Sequence, residues 1–191
     1  MFWKTISSDY ISNHIYFTAR RDKCQRDDGT IVDPYFVVEL PTSATALALT
    51  TDNRVIMVKQ YRHPIGEVIL ETPGGFIDPG EDFAIGMNRE LLEETGYSFQ
   101  SIEPLGRVAA NPGVLNNYTE LFLARGGVKQ QDQMLDHNEE IEVVEISIDD
   151  LKEMLLRGDI KQSLHVNCIF YALLKMGQIT FNNQGITSPT T

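Results

Sequence analysis

Residues 75–97 read GFIDPGEDFAIGMNRELLEETGY, a glycine-rich segment followed by a run of apolar and acidic residues. Gly75 and the Pro79-Gly80 pair favour turns, because glycine accepts backbone angles closed to other residues and proline presets its own. The pattern that follows predicts a helix from about Glu81 to Thr95, with Gly96 as its C-terminal cap. We therefore expect a loop that leads directly into an amphipathic helix.

The predicted helix has one apolar face and one acidic face. Apolar residues recur three and four positions apart, as expected of a buried stripe: Phe83, Ala84, Met87 and Leu91. Glu90, Glu93 and Glu94 have the same spacing, so their carboxylates should converge on a different face. Like charges on adjacent turns repel, and glutamates near a helix C-terminus oppose the helix dipole. Because carboxylates are preferred ligands of Mg²⁺, this face predicts a metal site rather than a solvated surface.

The spacing of fixed residues in this stretch resembles the Nudix box. It comprises Gly75, five residues, Glu81, seven residues, Arg89-Glu90-Leu91, one residue, Glu93-Glu94, one residue and Gly96-Tyr97. The resemblance implies a Nudix hydrolase, an enzyme that cleaves a nucleoside diphosphate linked to another group. It also implies an α/β fold, the Nudix α/β/α sandwich with a mixed sheet.

The same resemblance assigns roles to residues of the box. The positions that match metal ligands are the Gly74 carbonyl, Glu90, Glu93 and Glu94. Glu93 and Glu94 are counted with the catalytic residues as well. Glu81 and Arg89 match positions that brace the loop and helix through an ion pair. The implied cofactor is Mg²⁺, with Mn²⁺ as the alternative.

Length and composition favour a single domain that binds neither nucleic acids nor anionic membranes. The chain has 191 residues, 42% of them hydrophobic, and a formal net charge of −11. This acidity argues against nucleic acids and anionic membranes as partners, although a bound metal would reverse the local field for a small phosphorylated substrate. There is no apolar run of about 18 residues and no signal-peptide layout. Cys24 and Cys168 are far apart, so we expect reduced thiols and a cytoplasmic protein.

We expect three parts along the chain. Residues 1–40 contain two strand-like segments, HIYFTARRDK and YFVVEL, which predict an N-terminal antiparallel β extension. Residues 41–180 are the predicted Nudix hydrolase domain, and residues 181–191 a flexible tail. In the ADP-ribose pyrophosphatase branch of the family, such an extension pairs two subunits, so the resemblance implies a homodimer. Aromatic residues that by this likeness could touch adenine are Trp3, Tyr10, Tyr16, Phe17 and Tyr35.

Within the predicted domain, residues 44–61 read as a hairpin. ATALALTT and RVIMVKQY flank Asp52-Asn53, and their continuous apolar runs indicate burial on both faces. Residues 103–125 read as strand, loop and strand. The C-terminal part reads as two helices, on the second of which His165 is interpreted as structural.

Two further motifs resemble the ADP-ribose pyrophosphatase branch. QYRHP before EVILETPGG places Arg62 at the position of an arginine that reaches the substrate diphosphate, which its planar fork binds bidentately. Pro112 lies fifteen residues after the end of the box. A proline at this offset resembles the one that marks the ADP-ribose pyrophosphatase branch. Glu71 has an alternation in the strand 67–73 that would point it toward the site. The substrate-binding candidates are therefore Arg62, Glu71 and Pro112.

A polar loop predicted at residues 126–140 supplies the candidates for the general base. In this branch of the family, a glutamate of this loop is taken as the base that activates water, or as an extra metal ligand. Glu139 and Glu140 are the nearest here. Many relatives carry another glutamate two positions before Glu139, where this chain has His137. The candidates are thus Glu139, Glu140 and His137, in that order.

Taken together, the resemblance implies metal-assisted hydrolysis of the pyrophosphate bond of a nucleoside diphosphate sugar. The expected substrate is ADP-ribose, which would give AMP and ribose 5-phosphate. Another nucleotide sugar such as GDP-mannose is the main alternative. Cleansing of oxidised nucleoside triphosphates is disfavoured by Pro112 and QYRHP. A non-catalytic ADP-ribose sensor is disfavoured because every box glutamate is kept.

Overall fold

The computed structural model describes residues 1–14, 17–182 and 185–187, and the chain divides into two compact units. One unit comprises residues 1–42 and 109–118. The other comprises residues 43–108 and the described residues from 119 onward. Tyr16, one of the aromatics considered for adenine contact, lies outside the described residues.

The first unit contains a three-stranded antiparallel sheet, as expected for the N-terminal extension. Its strands are β1 (Lys4–His14), β2 (Phe17–Gln25) and β3 (Ile31–Glu39), in that spatial order. Sequence patterns predicted β2 and the second half of β3 but missed β1. The reason is that β1 reads KTISSDYISNH and is exposed along nearly its whole length, so no hydrophobic alternation marks it.

The second unit contains a seven-stranded mixed sheet. The predicted hairpin is present as β4 (Ser43–Thr50) and β5 (Val55–Arg62), and Asn53 in its turn has a φ of 62°. The remaining strands are β6 (Glu67–Glu71), β7 (Tyr97–Ser98), β8 (Ser101–Val108), β9 (Thr119–Lys129) and β10 (Ile141–Ile146). Five strands are hydrogen-bonded in the order β10-β5-β4-β9-β7. In addition, β6 pairs with β5 and β8 pairs with β9. Only the β4–β9 pair among these described strands is parallel.

Helices cover both faces of this sheet, which confirms the predicted α/β/α sandwich. They are α1 (Phe83–Thr95), α2 (Ile148–Arg157) and α3 (Ser163–Lys175). Side-chain alternation along β4 separates two core layers. Its alanines share a cluster with Met87 and Leu91 of α1, whereas Leu47 and Leu49 share a cluster with α2 and α3. The small alanines leave room for α1 to lie close to the sheet.

The ends of α1 are set by local capping. The helix starts two residues later than predicted because Asp82 is its N-cap and accepts hydrogen bonds from the backbone N–H groups of Ala84 and Ile85. It ends at Thr95, and Gly96 adopts the left-handed conformation with a φ of 74°, as predicted. These caps fix which residues of α1 face the loop before it.

Two details concern the C-terminal half of the chain. β9 continues to Lys129, so the predicted polar loop 126–140 is shorter than expected. Thr180–Asn182 and Gly185–Thr187 pair as two short strands, β11 and β12, and the rest of the predicted tail lies outside the described residues. No helix in the described ranges is long and apolar enough to cross a membrane.

Candidate active site

The loop before α1 lies against the edge of β4. Ala46 N donates a hydrogen bond to Pro73 O at 3.1 Å, and Ala44 N donates to Gly75 O at 2.9 Å. Gly74, with a φ of 151°, approaches β4 so closely that a Cβ there would stand 2.1 Å from Ala44 O. A side chain at Gly74 is therefore excluded by the backbone of the neighbouring strand.

Arg89 joins three of the box carboxylates. Its Nη1 donates to Glu90 Oε1 at 2.7 Å and to Glu93 Oε2 at 3.1 Å. Its Nε and Nη2 donate to the two oxygens of Glu81 at 3.2 and 3.1 Å, so the predicted Glu81–Arg89 ion pair is present. The hydrogen bond from Arg89 to Glu81 is the largest of the effects that raise the arginine pKa. Arg89 thus stays charged beside the acidic cluster.

Glu94 and Glu90 are carboxylates whose charge the site disfavours. Glu94 is 7% exposed, and its Oε2 accepts a hydrogen bond from Gly74 N at 2.8 Å. Burial raises the pKa of Glu94 to about 8, and the charges of Glu90 and Glu139 add to the shift. Burial also raises the pKa of Glu90, against the opposing effect of Arg89. A cluster of carboxylates that resist ionisation together is suited to binding a cation.

The structure brings the three glutamates into one electrostatic cluster but does not gather their oxygens around one point. Within the described ranges, no group of three or more His, Cys, Asp or Glu side chains has a metal-binding arrangement. The contacts explain this, since Arg89 holds Glu90 and Glu93 while Glu94 turns to the Gly74 N–H. The donor chemistry still fits a hard divalent cation, because all three side chains offer carboxylate oxygens.

Arg62 and Glu71 form a second cluster beside the first. The Arg62 Nε and Nη2 atoms donate to the Glu71 carboxylate, with the shortest contact, from Nη2 to Oε2, at 2.7 Å. The Arg62 charge also acts on Glu94, whose pKa it lowers against the larger effect of burial. The structure therefore brings Arg62 near the box glutamates. Glu71 is only 1% exposed, and its place among the substrate-binding residues stays a prediction.

The structure distinguishes the three candidates for the general base. Glu139 is half-buried, and its charge raises the pKa of both Glu90 and Glu94. Glu140 and His137 are exposed, and neither is among the largest causes of these two shifts. Of the three, Glu139 is the one that the fold brings close to the box glutamates.

Pro112, the remaining predicted site residue, is exposed in the loop 109–118. This loop belongs to the first compact unit, where its neighbour Gly113 accepts a hydrogen bond from the Tyr35 hydroxyl at 3.0 Å. The box residues belong to the second unit. A role for Pro112 stays a prediction.

Sequence patterns missed two residues that attach the end of β9 and the loop after it to α1. Gln133 Nε2 donates to Glu94 O at 2.6 Å and to Ile141 O at 3.1 Å, so it ties the helix to the start of β10. Lys129 Nζ donates to Thr95 O at 2.9 Å. These donors satisfy carbonyls that a helix C-terminus leaves free, and the lysine charge complements the helix dipole. No local sequence pattern identifies Gln133 and Lys129 as these donors, because a donor from any distant part of the chain could bind the same carbonyls.

Known proteins resemble this chain over most of its length. The family model described as NUDIX domain matches residues 39–165, and the one described as Nucleoside diphosphate sugar hydrolase N-terminal domain matches residues 3–38. A methanol dehydrogenase activator from Bacillus methanolicus is 31% identical over 177 residues, which cover 90% of this chain and 93% of the relative. An ADP-ribose pyrophosphatase from Bacillus subtilis (strain 168) is 31% identical over 140 residues, or 73% of this chain and 76% of the relative.

A solved structure supports the fold independently. The crystal structure described as an ADP compounds hydrolase superimposes with a TM-score of 0.80 at 18% identity. The match covers 93% of this chain and 97% of that chain. At this identity the likeness shows the shared fold alone.

Proposed function

This chain belongs to the Nudix family, and on that basis we propose that it hydrolyses the pyrophosphate bond of a nucleoside diphosphate sugar. ADP-ribose is the preferred substrate in this proposal, and water adds across its P–O–P bridge to give AMP and ribose 5-phosphate. The observation that carries the proposal is the complete box on α1 and its loop, in a chain whose residues 3–38 match the N-terminal domain of nucleoside diphosphate sugar hydrolases.

Nudix hydrolases generally use divalent metal ions, and we propose Mg²⁺ here, with Mn²⁺ as the second choice. The residues that would hold the metal are the Gly74 carbonyl, Glu90, Glu93 and Glu94. A bound metal would supply charge neutralisation of the diphosphate and a more acidic water. The backbone supports the assignment of Gly74. The carbonyls before and after it point to β4, so alternation turns its own carbonyl away from β4.

The side chains around the box have separate tasks in this proposal. Arg62 binds the diphosphate, because a guanidinium fork matches phosphate oxygens. Its charge is also close enough to Glu94 to lower the pKa of that carboxyl. Glu139 takes the proton from the attacking water, and Glu140 and His137 are the weaker candidates. Arg89 braces Glu81, Glu90 and Glu93 in one network.

Pro112 remains a proposed substrate-binding residue on the strength of the branch resemblance. Its exposure is consistent with ligand contact. Replacing Pro112 with Ala should raise the KM for ADP-ribose more than it changes kcat; an unchanged KM would remove Pro112 from the site.

We further propose that residues 1–40 pair two copies of the chain, while residues 41–180 carry the catalytic domain. The three-stranded sheet and the residues just before it expose many large apolar side chains, and a sheet of this size favours burial against a partner. These side chains are Phe2, Trp3, Ile6, Tyr10, Ile11, Phe17, Ile31 and Phe36. Light scattering of the purified chain should give the mass of a dimer, and a monomer at micromolar concentration would contradict the proposal.

A cytoplasmic location is part of the same proposal. Cys24 and Cys168 are both free and buried, as expected for a protein made in a reducing compartment. Cell fractionation with an antibody against the chain tests it.

Turnover measurements test the proposed activity directly. The purified chain should hydrolyse ADP-ribose with Mg²⁺ and lose the activity in EDTA, with recovery on added Mg²⁺ or Mn²⁺. GDP-mannose and a set of nucleoside triphosphates are the competing substrates. Glu93→Gln should lower kcat severely and leave the circular dichroism spectrum unchanged. Preference for triphosphates by a large factor would contradict the substrate class, and full activity of Glu93→Gln would contradict the metal assignment.

A further inference from the structure

A buried polar network connects Arg62, through Glu71, to His165 on α3. His165 is only 7% exposed, yet both ring nitrogens have partners. Nδ1 lies 2.7 Å from Thr72 Oγ1, and Nε2 lies 2.8 Å from Gln162 Oε1 and 3.4 Å from Glu71 Oε1. A histidine that only filled space in the core would not need this set of polar neighbours.

The arrangement of partners identifies the donor at Nε2. Nε2 of His165 faces two acceptor oxygens, so it carries the proton and donates. Nδ1 shares a hydrogen bond with the Thr72 hydroxyl. Thr72 is itself 2.6 Å from Thr45 Oγ1 on β4, which anchors this end of the network to the sheet. The imidazole is therefore held at two points, by Thr72 and Gln162, which keeps its Nε2 atom 3.4 Å from Glu71 Oε1.

Glu71 connects His165 to Arg62. Burial raises the pKa of Glu71, but hydrogen bonds from His165 and then Arg62 outweigh burial and lower it overall. The carboxylate is therefore charged, and a buried charge needs this complete set of partners. With His165 on one side, the plane of the carboxylate is fixed for the bidentate contact with Arg62 on the other side.

The position of the Arg62 guanidinium depends on this contact rather than on its own strand. In the β5–β6 ladder, Arg62 lies opposite Glu67, whereas Glu71 lies opposite Val58. The Arg62 side chain must therefore extend along the sheet to reach Glu71. Its side chain is 42% exposed, so without a fixed partner its long chain would sample many rotamers.

We propose that His165 is a positioning residue, which holds the Glu71 carboxylate so that Arg62 presents one fixed edge toward the substrate diphosphate. The inference rests on the proposed function, in which Arg62 binds that diphosphate. His165 touches neither substrate nor reacting atoms in this proposal and acts only through Glu71 and Arg62. Gln162 and Thr72 determine its ring orientation.

A double-mutant cycle tests the proposal by kinetics. His165→Phe keeps an aromatic ring but removes both hydrogen bonds, and we expect kcat/KM for ADP-ribose to fall about tenfold, mainly through KM. In an Arg62→Ala background, the same change should have less than about a twofold effect, because the residue it positions is gone. His165→Gln, which keeps a donor and an acceptor, should recover most of the loss. Additive effects of His165→Phe and Arg62→Ala would overturn the proposal.

Hydrogen exchange of the Arg62 Nε–H, followed by NMR, gives a readout that needs no substrate. The signal is assigned by its loss in Arg62→Lys. It should exchange at least about tenfold faster in His165→Phe than in wild type. Leu173→Ala, a fully buried apolar position on the same helix, is the matched control. It should lower the Tm but leave both the exchange rate and kcat/KM unchanged.

The two readouts separate the two proposals. Unchanged exchange in His165→Phe overturns the positioning role, whatever the enzyme hydrolyses. Faster exchange in a wild-type-like fold that cleaves no nucleotide sugar supports the positioning role and overturns the proposed function.

Discussion

Replacing Glu94 with Gln should stabilise the fold in EDTA while it abolishes activity. The Glu94 side chain is 7% exposed, and its Oε2 accepts a hydrogen bond from Gly74 N. Burial raises the pKa of Glu94 from 4.5 to about 8, with further contributions from Glu90 and Glu139. Gln has the shape of a protonated Glu and keeps an acceptor oxygen for Gly74. It therefore fills the same position without a buried charge.

The size of this effect follows from the linkage between protonation and folding. The folded pKa of about 8 lies above the ordinary value of 4.5, so the folded state binds the proton more tightly. The stability that this proton contributes is complete below about pH 4.5 and is lost as the pH rises to about 8. At about 1.4 kcal/mol per pH unit, wild type loses about 3 kcal/mol from this group between about pH 5 and pH 7. The Gln variant loses none of it.

Urea denaturation in EDTA at several pH values measures the effect. The difference in unfolding free energy between Glu94→Gln and wild type should grow by about 3 kcal/mol from about pH 5 to pH 7. Glu140→Gln, which changes an exposed glutamate, is the control and should keep the wild-type pH dependence. With Mg²⁺ present, Glu94→Gln should have no measurable kcat. A Gln variant whose stability runs parallel to wild type across this range would refute the reasoning about the buried charge.

Three other substitutions examine the loop and the base. Gly75→Ala would place a Cβ 2.3 Å from Glu90 Oε2, so we expect the Glu90 carboxylate to move. The kcat should then fall about 100-fold, while the Tm changes little. A normal kcat would show that Glu90 tolerates displacement. Glu139→Gln should lower kcat by about 10²–10⁴-fold in steady-state assays while Glu140→Gln stays near wild type, and the reverse result would reassign the base. Gln133→Ala removes two hydrogen bonds and should lower the unfolding free energy by about 1–3 kcal/mol in urea titrations, with a lower kcat. Loss of stability without loss of kcat would make Gln133 purely structural.

Much of α1 and of the β4–β5 hairpin follows from local sequence. The periodic apolar residues and Gly96 predicted α1 to within two residues at its start and correctly at its end. The Asp52-Asn53 turn and the apolar runs beside it predicted the β4–β5 hairpin, and the box spacing identified the glutamates. These features depend on residues within a few positions of one another, where backbone hydrogen bonds and hydrophobic periodicity act directly.

Other features have no local signature. β1 was missed because its sequence is polar and both of its faces are exposed, so its place in the sheet depends on pairing with β2. Alternation in β6 could not show that the Glu71 carboxylate is buried and lies 3.4 Å from His165 of α3, because that contact spans distant parts of the chain. Glu139 and Glu140 are adjacent in the chain, and only the folded loop decides which of them approaches the box.

The sequence by itself determined the family, the α/β/α architecture and the set of acidic side chains on one helix face. Tertiary structure alone decided how those side chains are held. Gln133 reaches Glu94 across 39 positions, and His165 reaches Thr72 across 93. Such contacts form only when α3 and the loop after β9 pack against the sheet. These hydrogen bonds depend on the packed geometry, which cannot be read from the residues adjacent in sequence to either partner.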